Sequence, residues 1–145
     1  MRPEPTIDLD NAFYWEGLRD AEIRLQRCEA CGRRRTPPLP ACPDCGDPRA
    51  TIEPASGRGR IYSFVVVHRA FSPAFETDVP YTVAVVELEE GGRMLARLEG
   101  GDGPPRIGEA VRAAFRLRGG DADETEWTEA FFVRAPAGGD EGEPG

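Results

Sequence analysis

Two cysteine pairs constrain the fold of this chain more than any other feature of its sequence. Each pair is a C-x2-C motif followed directly by glycine, and ten residues separate the two pairs. The spacing lets both sulfur atoms of a pair reach one ion, and the glycine permits the positive-φ turn that aims backbone N–H groups at the sulfurs. Four thiolates complete a tetrahedral shell with no open position for water or substrate, so we predict a structural zinc site that does not catalyse. Its ligands are all four cysteines of the chain, Cys28, Cys31, Cys42 and Cys45.

The same motifs leave other chemistry open. Iron can replace zinc in a four-cysteine site of this spacing, as it does in rubredoxins. A disulfide framework is disfavoured, because the N-terminus lacks the basic stretch and apolar run that direct secretion. The apolar runs 64–67 and 83–86 are far too short to cross a bilayer. We therefore expect a cytoplasmic protein with reduced cysteines and no membrane partner.

The rest of the sequence predicts a mainly β protein. Glycine (17 residues) and proline (14 residues) are abundant, which favours short elements and turns. Five stretches are β-branched or alternate between apolar and polar residues, as strands of a small closed barrel do: 60–69, 81–89, 93–98, 109–118 and 127–134. Five strands favour an OB-fold, with an SH3-like barrel as the second choice. The predicted segments are an N-terminal helical segment (1–20, with the helix at 12–18), the zinc ribbon (21–55), the OB-fold barrel (56–135) and a disordered acidic tail (136–145).

Charge is spread unevenly along the chain. The net charge is −8, and all 18 basic residues are arginine. The last 25 residues carry one arginine against eight acids, whereas the segment 61–120 carries seven arginines against eight acids. Nucleic-acid binding gains affinity from each uncompensated cation along a groove. The balance therefore disfavours a nucleic-acid partner, although zinc ribbons and OB-folds both occur in proteins that bind one.

Aromatic residues concentrate around the first barrel strand and the loop after it. On a strand Tyr62 and Phe64 point to one face, and Ile61, Ser63 and Val65 point to the other. If both faces are apolar, one of them lies outside the core and is a candidate partner surface. Trp15, on the short helix, is expected to be exposed or covered by a partner. The candidate partner or ligand face comprises Trp15, Tyr62, Phe64, His68, Phe71, Phe75 and Tyr81.

The sequence offers no catalytic constellation. His68 is the single histidine, all cysteines are assigned to the metal, and no G-x-S-x-G motif surrounds Ser63. A strand-end or interface role for His68 is favoured over that of a general base. We therefore predict no catalytic residue and no enzymatic activity of the chain on its own.

The order of these motifs resembles one known family. The ribbon carries LQRCEACG and PPLPACPDCG, and the barrel follows at once with SGRGRIYSFVVVHRAF, VPYTVAVVELEEG and IGEAVRAAF. Over residues 10–134 this pattern is similar to that of OB-fold proteins with an N-terminal rubredoxin-like zinc ribbon that associate with acyl-CoA enzymes. Ribbon spacing alone is shared by many families, whereas the ribbon followed directly by these barrel motifs is much more specific.

The resemblance implies a function. Family members are non-catalytic partners of thiolase-superfamily enzymes, among them the retro-aldolase that cleaves a steroid side chain from an acyl-CoA thioester. It implies an accessory subunit of such a lyase complex, which stabilises the enzyme and helps shape its acyl-CoA site. One alternative is a partner of an enzyme of the acetyl-CoA acetyltransferase or hydroxymethylglutaryl-CoA synthase type. The alternative from another class is a module that binds single-stranded nucleic acid.

A shared acyl-CoA substrate would need cations for its phosphates. Guanidinium groups suit this role, because they bind phosphate oxygens in a bidentate manner. If the ribbon folds back towards the barrel, its arginines meet those at the start of the barrel; a solvated strand edge is the other interpretation. The candidate CoA-phosphate contacts are Arg33, Arg34, Arg35, Arg58 and Arg60.

Overall fold

A short helix and a small sheet precede a closed barrel in this chain. The structure, a computed structural model, describes residues 4–120 and 125–134. Its elements are α1 (Ala12–Arg19), β1 (Arg24–Cys28), β2 (Arg34–Arg35), β3 (Ala50–Pro54), β4 (Arg58–Val67), a 3₁₀ turn (Pro73–Phe75), β5 (Tyr81–Leu88), β6 (Arg93–Gly100), β7 (Ala110–Arg118) and β8 (Trp127–Arg134). The mainly β composition and the short N-terminal helix were both predicted. The predicted disordered tail, 136–145, lies outside the described residues, as does part of the acidic turn before β8.

The first sheet is the ribbon, in which β1 lies between β2 and β3 and runs antiparallel to both. The predicted ribbon segment starts at residue 21, but its first strand begins only at Arg24. Ala21 takes a positive φ of 58°, and the backbone N–H of Glu22 donates to the carbonyl of Gly17, so these residues still belong to the turn that ends α1. Strand β3 was not predicted and completes the sheet.

The second sheet closes into a barrel with strand order β4-β5-β6-β8-β7, and β7 pairs back to β4. Strands β6 and β8 run parallel, and the other neighbours are antiparallel. A five-stranded closed barrel of this kind is the OB-fold. The five predicted strands and the predicted fold class are confirmed.

A β-bulge in β4 reverses the sides of the strand on which the following side chains lie, compared with regular alternation. Ile61 pairs with Val86 and Ser63 with Val85, so Tyr62 is an extra residue without a partner on β5. Ile61 is buried and Phe64 packs against the core, whereas Tyr62 is 48% exposed. The prediction that Tyr62 and Phe64 share a face was wrong, because the extra residue shifts the alternation by one position.

One apolar core joins helix, ribbon and barrel. Leu18 of α1 and Ile23 and Leu25 beside and within β1 are each 1% exposed, and they belong to the same cluster as the inward side chains of the barrel. Trp15 also packs against this cluster and makes an edge contact with Trp127 of β8, with ring centroids 6.0 Å apart. The expectation of an exposed or partner-covered Trp15 is therefore corrected in part, because the barrel covers one side of the ring and leaves Trp15 half-buried.

Truncating the helix side chain that ties the elements together should destabilise the whole chain. We expect Leu18→Ala to lower the free energy of unfolding by about 2–5 kcal/mol, because a fully buried leucine leaves a cavity that rigid neighbours cannot fill. Leu9→Ala is the matched control, since Leu9 is 98% exposed, and it should change stability by less than about 0.5 kcal/mol. Chemical denaturation measures both. Equal effects of the two variants would contradict a shared core.

Candidate metal centre and surface arginines

The four cysteine sulfur atoms converge on one point. All four Sγ atoms lie within 4.8 Å of one another, with 3.5 Å between Cys28 and Cys45 and 3.6 Å between Cys31 and Cys42. Four sulfurs bound at about 2.3 Å around a tetrahedral ion stand about 3.8 Å apart, so the observed spacing fits that geometry. The donor set and its spacing therefore suit a four-coordinate metal ion.

Two loops of matching backbone geometry hold the ligands. In the first loop the N–H of Gly32 donates to the carbonyl of Cys28 at 2.9 Å, and in the second the N–H of Gly46 donates to Cys42 at 2.9 Å. Gly32 and Gly46 take φ values of 80° and 82°. A side chain is disfavoured at such a φ, which explains the glycine after each cysteine pair.

Backbone N–H groups favour the thiolate form of the first cysteine in each pair. The N–H of Cys31, then that of Ala30, lowers the pKa of the Cys28 thiol to about 6. The N–H of Cys45 has the same effect in the second loop and lowers the pKa of Cys42. Hydrogen bonds to sulfur favour the thiolate, which is the form that binds metal. Cys28 and Cys42 are buried and Cys31 and Cys45 are exposed.

An ion pair joins the two metal-binding loops. Arg33, just after the first cysteine pair, donates to the carboxylate of Asp44, which lies between the cysteines of the second pair. Arg34 pairs with Glu53 of β3 at 2.9 Å. Arg35 is only 3% exposed and donates to the side-chain oxygen of Gln26 at 3.1 Å. These three of the five candidate phosphate contacts are thus engaged within the ribbon.

The other two candidates lie on the outside of the barrel, and they have a neighbour that the sequence did not reveal. Arg58 lies directly opposite Arg112 of β7 in the antiparallel register, and Arg60 follows two residues along β4. All three arginines are exposed, because Gly59 and Val111 between them face inward and are buried. Glu89 accepts from Arg58 at 3.0 Å, and Arg60 donates to the backbone carbonyl of Gly108 at 2.9 Å.

Cross-strand placement makes this group of three arginines, the arginine seam, electrostatically unusual. Like charges directly opposite each other on neighbouring strands repel and destabilise the pairing. Within the described chain Glu89 is the carboxylate in ion-pair contact with the seam. The seam is therefore a candidate site for an anion on the barrel surface, although Glu87 of β5 lies opposite Arg60 in the register. Arg112 lies 52 residues after Arg60, and only the strand register reveals their proximity.

The candidate aromatic residues do not form one surface. Phe64 packs against the core, and Phe75 lies beside Tyr81 with ring centroids 6.2 Å apart. Tyr62, Phe71 and Tyr81 each lie beneath an arginine guanidinium: Arg93 at 3.7 Å, Arg69 at 5.4 Å and Arg97 at 4.0 Å respectively.

His68 lies just past the end of β4 and is exposed. Among the hydrogen bonds and ion pairs of residues 4–120 and 125–134, none links this imidazole to a carboxylate or a nucleophile. That placement suits a strand-end role better than general base catalysis.

Both halves of the fold match domains of one family. Residues 15–49 match the ChsH2 rubredoxin-like zinc ribbon domain, and residues 53–116 match the ChsH2 C-terminal OB-fold domain. Benzoylsuccinyl-CoA thiolase subunit BbsA of Thauera aromatica is 34% identical over 117 residues, which cover 76% of this chain and 78% of that protein. The chain belongs to the DUF35/ChsH2 family of proteins that join a zinc ribbon to an OB-fold.

A longer relative and a solved structure add context. The 3-oxo-4,17-pregnadiene-20-carboxyl-CoA hydratase alpha subunit of Mycobacterium tuberculosis is 43% identical over 113 residues, or 77% of this chain and 35% of that protein. The chain thus spans about a third of the length of the hydratase alpha subunits that it matches. A solved chain of the Ltp2-ChsH2(DUF35) aldolase is 38% identical, with a TM-score of 0.72, and the match covers 90% of this chain and 98% of that one.

Hydropathy adds one further finding. Across the described part of the chain, α1 is too short to span a bilayer, and no other helix has the length and apolarity to do so.

Removing one ligand should release the metal and destabilise the chain. We expect Cys28→Ser and Cys45→Ser to lose the ion and to melt about 10 °C or more below the unsubstituted protein, because metal binding contributes directly to the folding of a small ribbon. Thr51→Ala is the control, since Thr51 lies beside the first loop and supplies no sulfur. Elemental analysis and calorimetry measure both properties. An unchanged melting temperature after metal loss would refute a structural site.

Proposed function

We propose that this chain is a non-catalytic accessory subunit of a thiolase-superfamily enzyme that acts on an acyl-CoA. The observation that carries the proposal is the match to the ChsH2(DUF35) chain of an aldolase, which extends over 98% of that chain. A non-catalytic role agrees with the site chemistry. All four cysteines converge on the metal position, so none is left to act as a nucleophile. The enzyme would supply the nucleophile and base, and this chain would stabilise it and shape the acyl-CoA entrance.

The reaction we favour is retro-aldol cleavage of a steroid side-chain acyl-CoA thioester. Two relatives support it: one is named as an aldolase subunit, and the other as a hydratase subunit for a pregnadiene carboxyl-CoA. A thiolase partner is the second candidate, because BbsA is named as a thiolase subunit and its match covers most of both chains.

The metal we propose is zinc, with iron as a substitute during recombinant expression. Zinc accepts four thiolates in tetrahedral geometry without redox chemistry. Four ligands from the chain would keep water and substrate off the ion, so its role is to hold the two loops in register. Thiolate ligands also require reducing conditions, which favours the cytoplasm as the compartment.

The arginine seam is our proposed contact for the CoA phosphates. It retains Arg58 and Arg60 of the five candidates and adds Arg112. Arg33, Arg34 and Arg35 are engaged within the ribbon, so they are less available to a ligand. Nucleic acid is the weaker alternative, because three exposed guanidinium groups are too few to follow a polyanionic backbone along a groove.

Subunit function is tested by co-expression with a thiolase-type enzyme from the same organism. We expect joint elution in size-exclusion chromatography and acyl-CoA cleavage or thiolysis that falls at least about tenfold when this chain is omitted. Bovine serum albumin added in place of the chain controls for non-specific stabilisation. Separate elution together with full activity of the enzyme alone would exclude an accessory role.

The phosphate contact is tested on the assembled complex with CoA as the probe. We expect the double variant Arg60→Gln and Arg112→Gln to weaken CoA binding about tenfold, since each charge-assisted hydrogen bond contributes roughly 1.5–3 kcal/mol before solvent screening. Arg49→Gln is the control for loss of an arginine outside the seam, because Arg49 pairs with Asp47 on the ribbon. Titration calorimetry measures the affinities. Equal affinities for the double variant and the control would remove the seam from the CoA site.

A further inference from the structure

The outer surface of β4, β5 and β6 carries an apolar centre that the barrel core does not use. Alternation places Ala84 and Val86 of β5 inside the barrel, where both are buried, and turns Val83 and Val85 outward. In the register Val83 pairs with Val65 of β4, and Val85 pairs with Leu95 of β6. We call Val65, Val83, Val85 and Leu95 the aliphatic face.

Exposure separates this face from the core beneath it. Leu95 is 70% exposed and Val65 is 61% exposed, although the inward residue next to Leu95, Met94, is only 6% exposed. Single exposed apolar residues are common on protein surfaces, whereas a contiguous group on adjacent strands marks an interaction site. Four aliphatic side chains on three neighbouring strands form such a group.

Two ordered assemblies border the aliphatic face. On one side Arg93 stacks on Tyr62 at 3.7 Å and pairs with Glu87 at 3.4 Å. On the other, Arg97 stacks on Tyr81 at 4.0 Å and pairs with Asp78 at 3.2 Å.

In each assembly an aromatic ring, a guanidinium and a carboxylate hold one another in place. The Arg97–Asp78 pair is further shielded, with side chains 14% and 15% exposed. Tyrosine and arginine around an apolar centre are the composition typical of protein interfaces.

The charges on this border decide what class of molecule fits. Each arginine is already paired with a carboxylate, so the border offers no surplus positive charge to a polyanion or an anionic lipid surface. Tyr62 and Tyr81 are also covered by guanidinium groups and are not free to stack on bases. A largely uncharged apolar protein surface complements a centre of aliphatic side chains with a neutralised border.

The loop after β4 offers one further exposed apolar side chain. Residues 68–80 leave the barrel after Val67 and return at Tyr81, and this loop presents Phe71 with 85% of its side chain exposed. An exposed phenyl ring needs an apolar receptor. The solved aldolase whose ChsH2(DUF35) chain this protein matches combines that chain with Ltp2, which favours an enzyme partner over a second copy of this chain.

We propose that the aliphatic face, together with Phe71, is the surface by which this chain docks on the apolar surface of its thiolase-type enzyme. This inference rests on the proposed subunit function and assigns its interface. The metal-binding loops then lie outside the contact and act by holding β1 against the shared core. The face would be covered only in the complex, which explains why large aliphatic side chains stand outside the barrel of the single chain.

The test introduces a carboxylate at the centre of the face. Leu95→Glu and Val65→Glu lie on different strands, and Phe71→Ala removes a loop side chain without touching the barrel. Leu117→Glu is the matched control, because Leu117 is 62% exposed on β7, which is not a neighbour of β5 or β6. Each variant is co-expressed with the same thiolase-type enzyme. Its dissociation constant is measured by interferometry after its thermal melt is checked.

We expect the Kd to rise at least tenfold for Leu95→Glu and Val65→Glu, to rise severalfold for Phe71→Ala, and to stay within twofold for Leu117→Glu. Binding within twofold for the folded face variants would overturn the interface while leaving the subunit function intact. If either glutamate variant fails to fold, the Kd values of the remaining folded variants decide whether the face is the interface.

Failure of the unsubstituted chain to bind would reject the subunit function and this interface together. Light scattering of the chain alone then identifies what covers the face. A dimer that Leu95→Glu dissociates would assign the face to a second copy, and a monomer would leave it without a protein partner. Either result overturns the proposal.

Discussion

Convergence of four cysteine sulfurs is the constraint on which the rest of this structure depends. The ribbon is too small to bury an adequate core, and a segment of its size generally needs a metal or a covalent link to fold. The sulfurs lie within 4.8 Å of one another, and the ion pair between Arg33 and Asp44 joins the two loops that carry them. The metal site thereby fixes the direction of β1.

That fixed direction matters because the ribbon and the barrel share apolar contacts. Leu18, Ile23 and Leu25 belong to the core cluster that also contains the barrel interior. A metal site in one sheet thus stabilises the orientation of the other. The proposed subunit function would benefit from such rigidity, because surfaces that are already ordered lose less conformational entropy when they bind an enzyme. The arginine seam and the aliphatic face both belong to this rigid barrel.

Features set by local sequence could be predicted, and features set by strand register could not. Cysteine spacing and strand periodicity are local, so the ribbon and the five barrel strands followed from the sequence. The bulge at Tyr62 depends on how β4 pairs with β5, and it reversed the expected facing. Arg112 lies opposite Arg58 only because β7 closes the barrel. The contact of Trp15 with Trp127 joins the two ends of the described chain, which no local pattern encodes.

Native mass spectrometry of the co-expressed chain and thiolase-type enzyme tests the central claim most directly, because one spectrum reports both the partner and the metal. The account predicts a joint species in which every copy of this chain carries a single zinc ion. Removing the metal with a chelator should dissociate or unfold this chain. A joint species that persists with metal-free copies of this chain would contradict the structural role of the site. Spectra that contain only the separate proteins would contradict the subunit function.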